Sequence, residues 1–293
     1  MDWLAPAAGV VIVLLVLRDI FHTLVHPEGQ GSLSRFVLNT IWRLSRLRGG
    51  RGWTARLTGP VALLSVIIVW GALGIIAWAL IYLPSIPAGF VYSSGPAAGS
   101  ANAVLDALYV SMTAISTLGF GDIVPAPGWL RIATPLEALF GFALLTVAVS
   151  WVLQIYPALT RRRVLAIRLS SLRRTNVHAG LKGADSVLLS EILESVSTEI
   201  IQARVDLSEY SETYYFRDPD PNTSLAAMLP YAAKLAQVGA NSSRSDIRLT
   251  ANLLTFALDE FAGVLKDRFP HTAPTTSDLL AAYAAAQGHR SGD

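Results

Sequence analysis

The stretch Thr117-Leu-Gly-Phe-Gly121 places two glycines around a phenylalanine in an otherwise strongly apolar part of the chain. Glycine adopts left-handed backbone conformations without the steric penalty that other L-residues meet. If alternate residues of the stretch do so, successive carbonyl oxygens can point to one side. Carbonyls inside a bilayer are costly unless something pairs with them, and a bare cation is such a partner. We therefore predict a cation-binding segment formed by Thr117, Leu118, Gly119, Phe120 and Gly121.

Both ends of this segment add side-chain oxygens. Thr117 adds a hydroxyl acceptor at the inner end. Asp122 follows at the outer mouth, where a carboxylate raises the local concentration of cations. We therefore expect Asp122 to attract cations to the entrance.

A short helix is predicted just before the segment, over residues 102–115. About 14 residues of helix reach roughly 21 Å, which is too short to cross the roughly 30 Å hydrocarbon core of a bilayer. Ser100 or Asn102 can cap its start. A helix that enters from outside points its C-terminal partial negative charge, about half an electron, toward the membrane centre. The pattern predicts a re-entrant segment whose helix dipole stabilises a cation.

Three apolar segments are long enough to span a bilayer and so to hold this loop in place. They run from about Trp3 to Val25, Pro60 to Leu83 and Leu130 to Tyr156. The first does not resemble a signal peptide, because it lacks a basic start and a small-residue cleavage site. We expect Arg18, Asp19 and His22 at its end to pair with one another or to reach the interface.

Basic residues indicate the direction of the three spans. No Lys or Arg lies between the second and third spans before Arg131, whereas Arg161, Arg162 and Arg163 follow the third. The positive-inside rule therefore predicts a multi-pass protein of the plasma (inner) membrane with the N-terminus outside and the C-terminal part cytoplasmic. The loop between the first two spans agrees, since it carries Arg35, Arg43, Arg46, Arg48, Arg51 and Arg56.

The composition separates a membrane half from a soluble half. Charged residues make up 15% of the chain, against about 25% in soluble domains, and their density rises sharply from Arg161. The net charge of +2 does not indicate a nucleic-acid partner, and the absence of cysteine excludes thiolate metal sites. We found no nucleophile–base pair, paired carboxylates or metal-ligand spacing in a plausible setting. We therefore expect neither an enzyme nor a cofactor.

At Thr117-Leu-Gly-Phe-Gly-Asp122 the sequence resembles the potassium-channel pore family, whose motif runs Thr-Val-Gly-Tyr-Gly-Asp. The Leu and Phe variants occur in that family, notably in two-pore-type channels. The resemblance covers about residues 60–158. It implies an outer helix, a pore helix with a filter, and an inner helix, assembled as a homotetramer. It further implies passive conduction of K⁺, bound at Thr117, Leu118, Gly119 and Phe120.

Two departures from the family pattern concern the rigidity of the filter. Many members have Tyr where Phe120 stands, and the tyrosine hydroxyl ties the filter to the pore helix. Some members also have a carboxylate nine positions before the filter aspartate, where this chain has Thr113. We hypothesise a filter that is held less rigidly and inactivates more readily.

Two residues of the third span are candidates for roles in gating and support. Gly141 lies 22 residues after Gly119, where the resemblance places a gating hinge. Close helix packing is the alternative for this glycine. Glu137 is the only acid of the span, and we expect it to brace the back of the filter or to pair with Arg131.

The predicted fold is an all-α integral membrane protein with a potassium-channel-type pore, an extra N-terminal transmembrane helix and a helical cytoplasmic C-terminal domain. The predicted domains are an N-terminal region, 1–58, a pore domain, 59–158, and a cytoplasmic domain, 159–293. The N-terminal region includes an amphipathic helix over 33–47 that is expected to lie on the inner leaflet. Cytoplasmic helices are expected over Ser186–Tyr210, from a cap at Ser224, over Asp246–Phe269 and over Thr276–Gln287.

The C-terminal domain shows no nucleotide-binding or calcium-binding pattern, so its ligand or partner is unknown. The predicted spans include no arginine-rich voltage-sensing helix. The expected partners are lipid and further copies of the chain. A potassium-selective channel of bacterial size is the leading interpretation. The alternatives are a weakly selective cation channel, or a membrane-anchored helical signalling module with a non-conducting pore.

Overall fold

The structure, a computed structural model, describes residues 3–24, 31–47, 53–93, 102–177, 186–269 and 273–289. Helices dominate these residues, which confirms the predicted all-α class. Two short strands are present, β1 (Phe90–Tyr92) and β2 (Ile123–Pro125). The helices are α1 (Leu4–Leu24), α2 (Ser32–Leu47), α3 (Trp53–Tyr82), α4 (Ala103–Ile115), α5 (Leu130–Arg174), α6 (Ser186–Glu209), α7 (Leu225–Ala240), α8 (Ser245–Arg268) and α9 (Thr276–Gln287).

The helices α1, α3 and α5 contain the three predicted spans, and α4 is apolar but short. Two boundaries differ from the expectation. The helix α3 starts before Pro60, and α5 continues through the basic stretch to Arg174 without a break. The domain limits placed after residues 58 and 158 therefore fall inside helices. Four residues named in the predictions lie outside the described ranges, namely Val25, Arg48, Arg51 and Ser100.

The described residues divide into two compact units, Met1–Val37 with Leu63–Leu153, and Leu38–Ala62 with Gln154–Asp293. In the first unit, α1 packs closely on α3 at Gly9. A Cβ atom added there would meet the carbonyl oxygen of Ala77 and lie 2.8 Å from Cγ1 of Ile81. Absence of a side chain at Gly9 thus allows the two helices to approach each other.

A buried aspartate connects α1, α2 and α3. The carboxylate of Asp19 accepts hydrogen bonds from Leu33 N at 2.9 Å, Ser34 N at 3.1 Å and Ser34 Oγ at 2.6 Å. Trp70 Nε1 donates to the same carboxylate at 2.9 Å. Asp19 of α1 therefore caps the start of the following helix, α2, instead of pairing with Arg18 or His22 as expected.

The first unit also contains a two-stranded ribbon that was not predicted from the sequence. β1 pairs with β2 in antiparallel register, with Val91 opposite Val124. The ribbon sits beside a small apolar core formed by Tyr82, Phe90, Val110 and Leu130. Strands of three residues are too short to show an alternating pattern, and so we interpreted residues 84–101 as a loop.

The second unit contains the predicted C-terminal helices and the C-terminal part of α5, which is called its foot below and begins at Gln154. Three consecutive arginines of α5 bind the C-terminal helical domain. Arg161 makes a two-pronged ion pair with Asp206 at 2.7 and 2.8 Å, and Arg163 pairs with Asp218 at 3.1 and 3.3 Å. Arg162 donates to the carbonyls of Thr213 and Phe216 at 2.6 and 2.8 Å.

The amphipathic helix α2 is present, but its apolar face does not match the expected membrane contact throughout. Trp42 is buried and packs against the rings of Tyr214 and Tyr215, with centroid distances of 5.4 and 5.7 Å. The guanidinium of Arg217 lies 4.0 Å above the Trp42 ring. This part of α2 therefore packs on protein. Ser224 takes the N-cap position of α7, although its side chain makes no capping hydrogen bond.

Candidate ion-binding site

The short helix α4 leads directly into the predicted ion-binding segment. Its start is fixed by Asn102, whose side chain accepts a hydrogen bond from Val104 N at 3.0 Å, so Asn102 fills the predicted capping role. After the helix, Thr117 N donates to Ala114 O at 2.9 Å and Leu118 N to Thr113 O at 2.9 Å. The last turn of α4 therefore runs straight into the segment.

The backbone of the segment alternates in the way that the sequence predicts. Thr117, Gly119 and Gly121 have positive φ angles of 58°, 52° and 79°, whereas Leu118 and Phe120 between them do not. Alternation between left-handed and ordinary conformations turns successive carbonyls toward one side of the strand. Thr117 is a β-branched residue in a region that such residues rarely adopt, so the fold holds it there against a local cost.

The C-terminal end of the segment is anchored by residues that were not selected from the sequence. The hydroxyl of Tyr109 on α4 donates to Oδ2 of Asp122 at 2.7 Å. Ser93, next to the ribbon, donates its backbone N–H to the carbonyl of Asp122 at 2.8 Å. Tyr109 lies one helical turn before Thr113, so its place on the same face as that position was a readable signal.

This anchor changes our expectation for the rigidity of the segment. Thr113 does not reach Asp122, because its hydroxyl donates to the carbonyl of Val110 at 2.9 Å. Phe120 has no hydroxyl to donate. Tyr109 instead restrains Asp122, and inspection of Thr113 and Phe120 against the potassium-channel motif did not reveal this restraint.

We expect Tyr109→Phe to speed inactivation of the open pore several-fold, since Asp122 loses its side-chain donor. Current decay during prolonged opening in planar bilayers measures this effect. Tyr92→Phe is the matched control, because it removes a tyrosine–aspartate bond of the same type, 2.9 Å from Tyr92 to Asp106. Burial and that bond raise the pKa of Tyr92 to about 12, so it stays a donor at neutral pH. Equal decay rates in the two variants would contradict a special role for Tyr109.

Glu137 is fully buried where α5 meets α3 and α4. Ser111 Oγ on α4 donates to its Oε1 at 2.5 Å, and the hydroxyl of Tyr82 on α3 donates to its Oε2 at 2.8 Å. Arg131 is exposed and is not the partner of this carboxylate in the described residues. Glu137 thus contacts the helix that carries the ion-binding segment, and a bracing role remains our prediction.

Gly141 of α5 lies against the C-terminal end of α4. A Cβ atom added to Gly141 would overlap the carbonyl oxygen of Ile115 and lie 2.8 Å from the carbonyl carbon. Gly74 of α3 faces the same place, since its added Cβ would lie 3.1 Å from Cδ1 of Ile115. Gly141 therefore packs closely against the end of α4, whereas its role as a gating hinge remains a hypothesis.

Side-chain metal ligation is not a feature of the described residues, among which no three His, Asp or Glu side chains are grouped to hold an ion. The predicted oxygen donors for a cation are the backbone carbonyls of the segment. Carbonyl oxygens suit hard, weakly held monovalent cations such as those that permeate channels.

The comparison with known families addresses this region directly. Residues 66–156 match the family model described as Ion channel. This segment belongs to that ion channel family. The ion channel segment contains α4, the stretch 117–121, Asp122, Glu137 and Gly141, and it covers about a third of the chain. Pore domains of ion channels generally assemble as oligomers, because the pore lies on a symmetry axis.

A curated relative extends the comparison beyond the ion channel segment. The chain is 26% identical over 200 residues to the uncharacterized membrane protein YdjJ of Bacillus subtilis (strain 168). The aligned region is 66% of this chain and 57% of the relative, so the chain spans less than two thirds of that protein. No solved structure gives a significant match. Together with three apolar helices of spanning length, this relative identifies the chain as a membrane protein.

Proposed function

We propose that the protein is a potassium-selective channel that conducts K⁺ passively through a ring of four segments 117–121. The observation that carries the proposal is the left-handed backbone at Thr117, Gly119 and Gly121. These residues directly follow α4, a capped helix that is too short to cross a bilayer. Carbonyls at Thr117, Leu118, Gly119 and Phe120 replace the hydration shell of K⁺. Asp122 attracts cations to the outer mouth.

A single chain cannot surround an ion, and the surface of the first unit supports assembly. Leu118 and Phe120, the two large apolar residues of the segment, are 61% and 66% exposed in a single chain. Large apolar side chains on α5, such as Leu145 and Leu153, are also exposed. In a homotetramer, neighbouring copies cover such residues or the residues line the pore cavity.

The proposal places the protein in the plasma (inner) membrane with its N-terminus outside and the C-terminal domain in the cytoplasm. The arginine distribution supports this orientation. Arg161 and Arg163 are paired with aspartates, yet the rule counts basic residues and gives little weight to acidic ones. The C-terminal domain binds the foot of α5 through these arginines, and we propose that it influences the pore from there.

The reversal potential tests the proposal. Purified protein is placed in planar bilayers with unequal K⁺ and Na⁺ on the two sides. We expect reversal near the potassium equilibrium potential. Reversal near zero with open current would support a weakly selective cation channel, in which Phe120 leaves the filter relaxed. Absence of current from inserted tetramers, together with absence of K⁺ flux in liposomes, would support a non-conducting signalling module.

A further inference from the structure

A cavity of about 460 Å³ lies in the first unit, and Leu73 is its one lining residue that belongs to the ion channel segment. It is bounded by the second half of α1, the start of α2 and Leu73 of α3. Its volume falls within the range of small-molecule sites, about 300–1,000 Å³. Its walls separate into an apolar part and a basic part.

The apolar part runs along the membrane-spanning helix. Ile12, Leu15 and Val16 of α1 line it together with Leu73. Ile12 is 12 residues from the end of α1 at Leu24, so this wall begins about 18 Å inside the helix end. That depth corresponds to the acyl chains of a bilayer.

The basic part lies nearer the end of the span. Arg18 and His22 of α1 and Arg35 of α2 line it, and both arginines are exposed. Asp19 also lines the cavity, but its carboxylate already accepts four hydrogen bonds from Leu33, Ser34 and Trp70. The exposed guanidinium groups of Arg18 and Arg35 are therefore available to an anionic occupant.

We infer that this cavity binds an anionic phospholipid, with the phosphate on Arg18 and Arg35 and an acyl chain along Leu15 and Leu73. The occupant must be apolar at the depth of the acyl chains and anionic at the interface, and an anionic phospholipid has that order of groups. A soluble phosphate would leave the apolar wall unfilled. The inference does not depend on which ion the pore conducts.

Native mass spectrometry of the delipidated full-length protein measures binding of palmitoyl-oleoyl phosphatidylglycerol and phosphatidylcholine. We expect phosphatidylglycerol to bind more tightly. Arg18→Gln and Arg35→Gln should each weaken phosphatidylglycerol binding about fivefold, and the double variant should weaken it about twentyfold. Loss of one basic residue near an anionic lipid lowers the affinity by about the factor expected for each single variant. Arg43→Gln is the matched control, since Arg43 is exposed on α2 but does not line the cavity.

The double variant Arg18→Lys/Arg35→Lys keeps both charges and should retain most of the affinity, which separates lost charge from a folding defect. Equal binding by the double Gln variant and Arg43→Gln would overturn the inference, as would equal affinity for the two lipids. Displacement of phosphatidylglycerol by equimolar glycerol 3-phosphate would show a soluble phosphate site instead. Loss of tetramers in the double Gln variant, with phosphatidylglycerol binding unchanged, would also overturn the inference. It would show that a second copy of the chain, and not lipid, contacts Arg18 and Arg35.

Discussion

Replacement of Gly119 by alanine should abolish potassium-selective current. Gly119 has φ of 52°, and an added Cβ atom meets no heavy atom within 4 Å. The expected defect is therefore conformational and does not come from a clash. An L-residue in the left-handed region costs about 1–2 kcal/mol, which becomes about 4–8 kcal/mol in a ring of four chains. That cost is large enough to move the carbonyls away from their ion-binding arrangement.

Gly128→Ala is the matched control for this experiment. Gly128 also has open space around an added Cβ, but its φ is outside the left-handed region. Current and reversal potential of both variants are compared in planar bilayers under the same K⁺ and Na⁺ gradient. A D-alanine placed at residue 119 by peptide ligation provides a second arm, because its mirror-image chirality favours positive φ. Unchanged selective current in Gly119→Ala would contradict the proposed filter.

Replacement of Gly141 by alanine should destabilise the assembled protein. The new methyl group would overlap the backbone carbonyl of Ile115, and a backbone atom at the end of α4 cannot move aside without shifting the ion-binding segment. Overpacking of this kind costs about 1–3 kcal/mol. The measurement is the melting temperature of the purified protein, followed by loss of native oligomer.

Gly71→Ala is the matched control for Gly141→Ala. Gly71 is also a glycine in a membrane-spanning helix, and no atom lies within 4 Å of its added Cβ. This control should be neutral or slightly stabilising, because alanine is the better helix former. The same pair of variants decides between the two roles of Gly141. A hinge predicts a changed open probability with unchanged melting, and that result would contradict the packing role.

Features that depend on one continuous stretch of sequence could be predicted. The three spans follow from length and apolarity, and the start of α4 follows from the capping ability of Asn102. The alternating backbone at 117–121 follows from the glycine spacing. Each of these properties requires only neighbouring residues, and no knowledge of which distant residues meet.

Features that depend on contacts between distant residues could not be predicted. Glu137 meets Ser111 and Tyr82 because three helices converge at that point of the fold. Trp42 illustrates a further limit. An amphipathic pattern shows that one face of α2 avoids water, but it does not distinguish lipid from the aromatic surface of the second unit.

The cap on α2 has a consequence for biogenesis of the chain. Leu33 and Ser34 follow Asp19 by 14 and 15 residues, whereas Trp70 follows it by 51. A ribosome that adds about 5–20 residues per second needs roughly 3–10 s to reach Trp70 after Asp19. During that interval the nascent first helix carries a carboxylate that still lacks its indole donor. The backbone amides of Leu33 and Ser34 are synthesised before Trp70. They can therefore donate hydrogen bonds to the Asp19 carboxylate while the remaining spans are being translated.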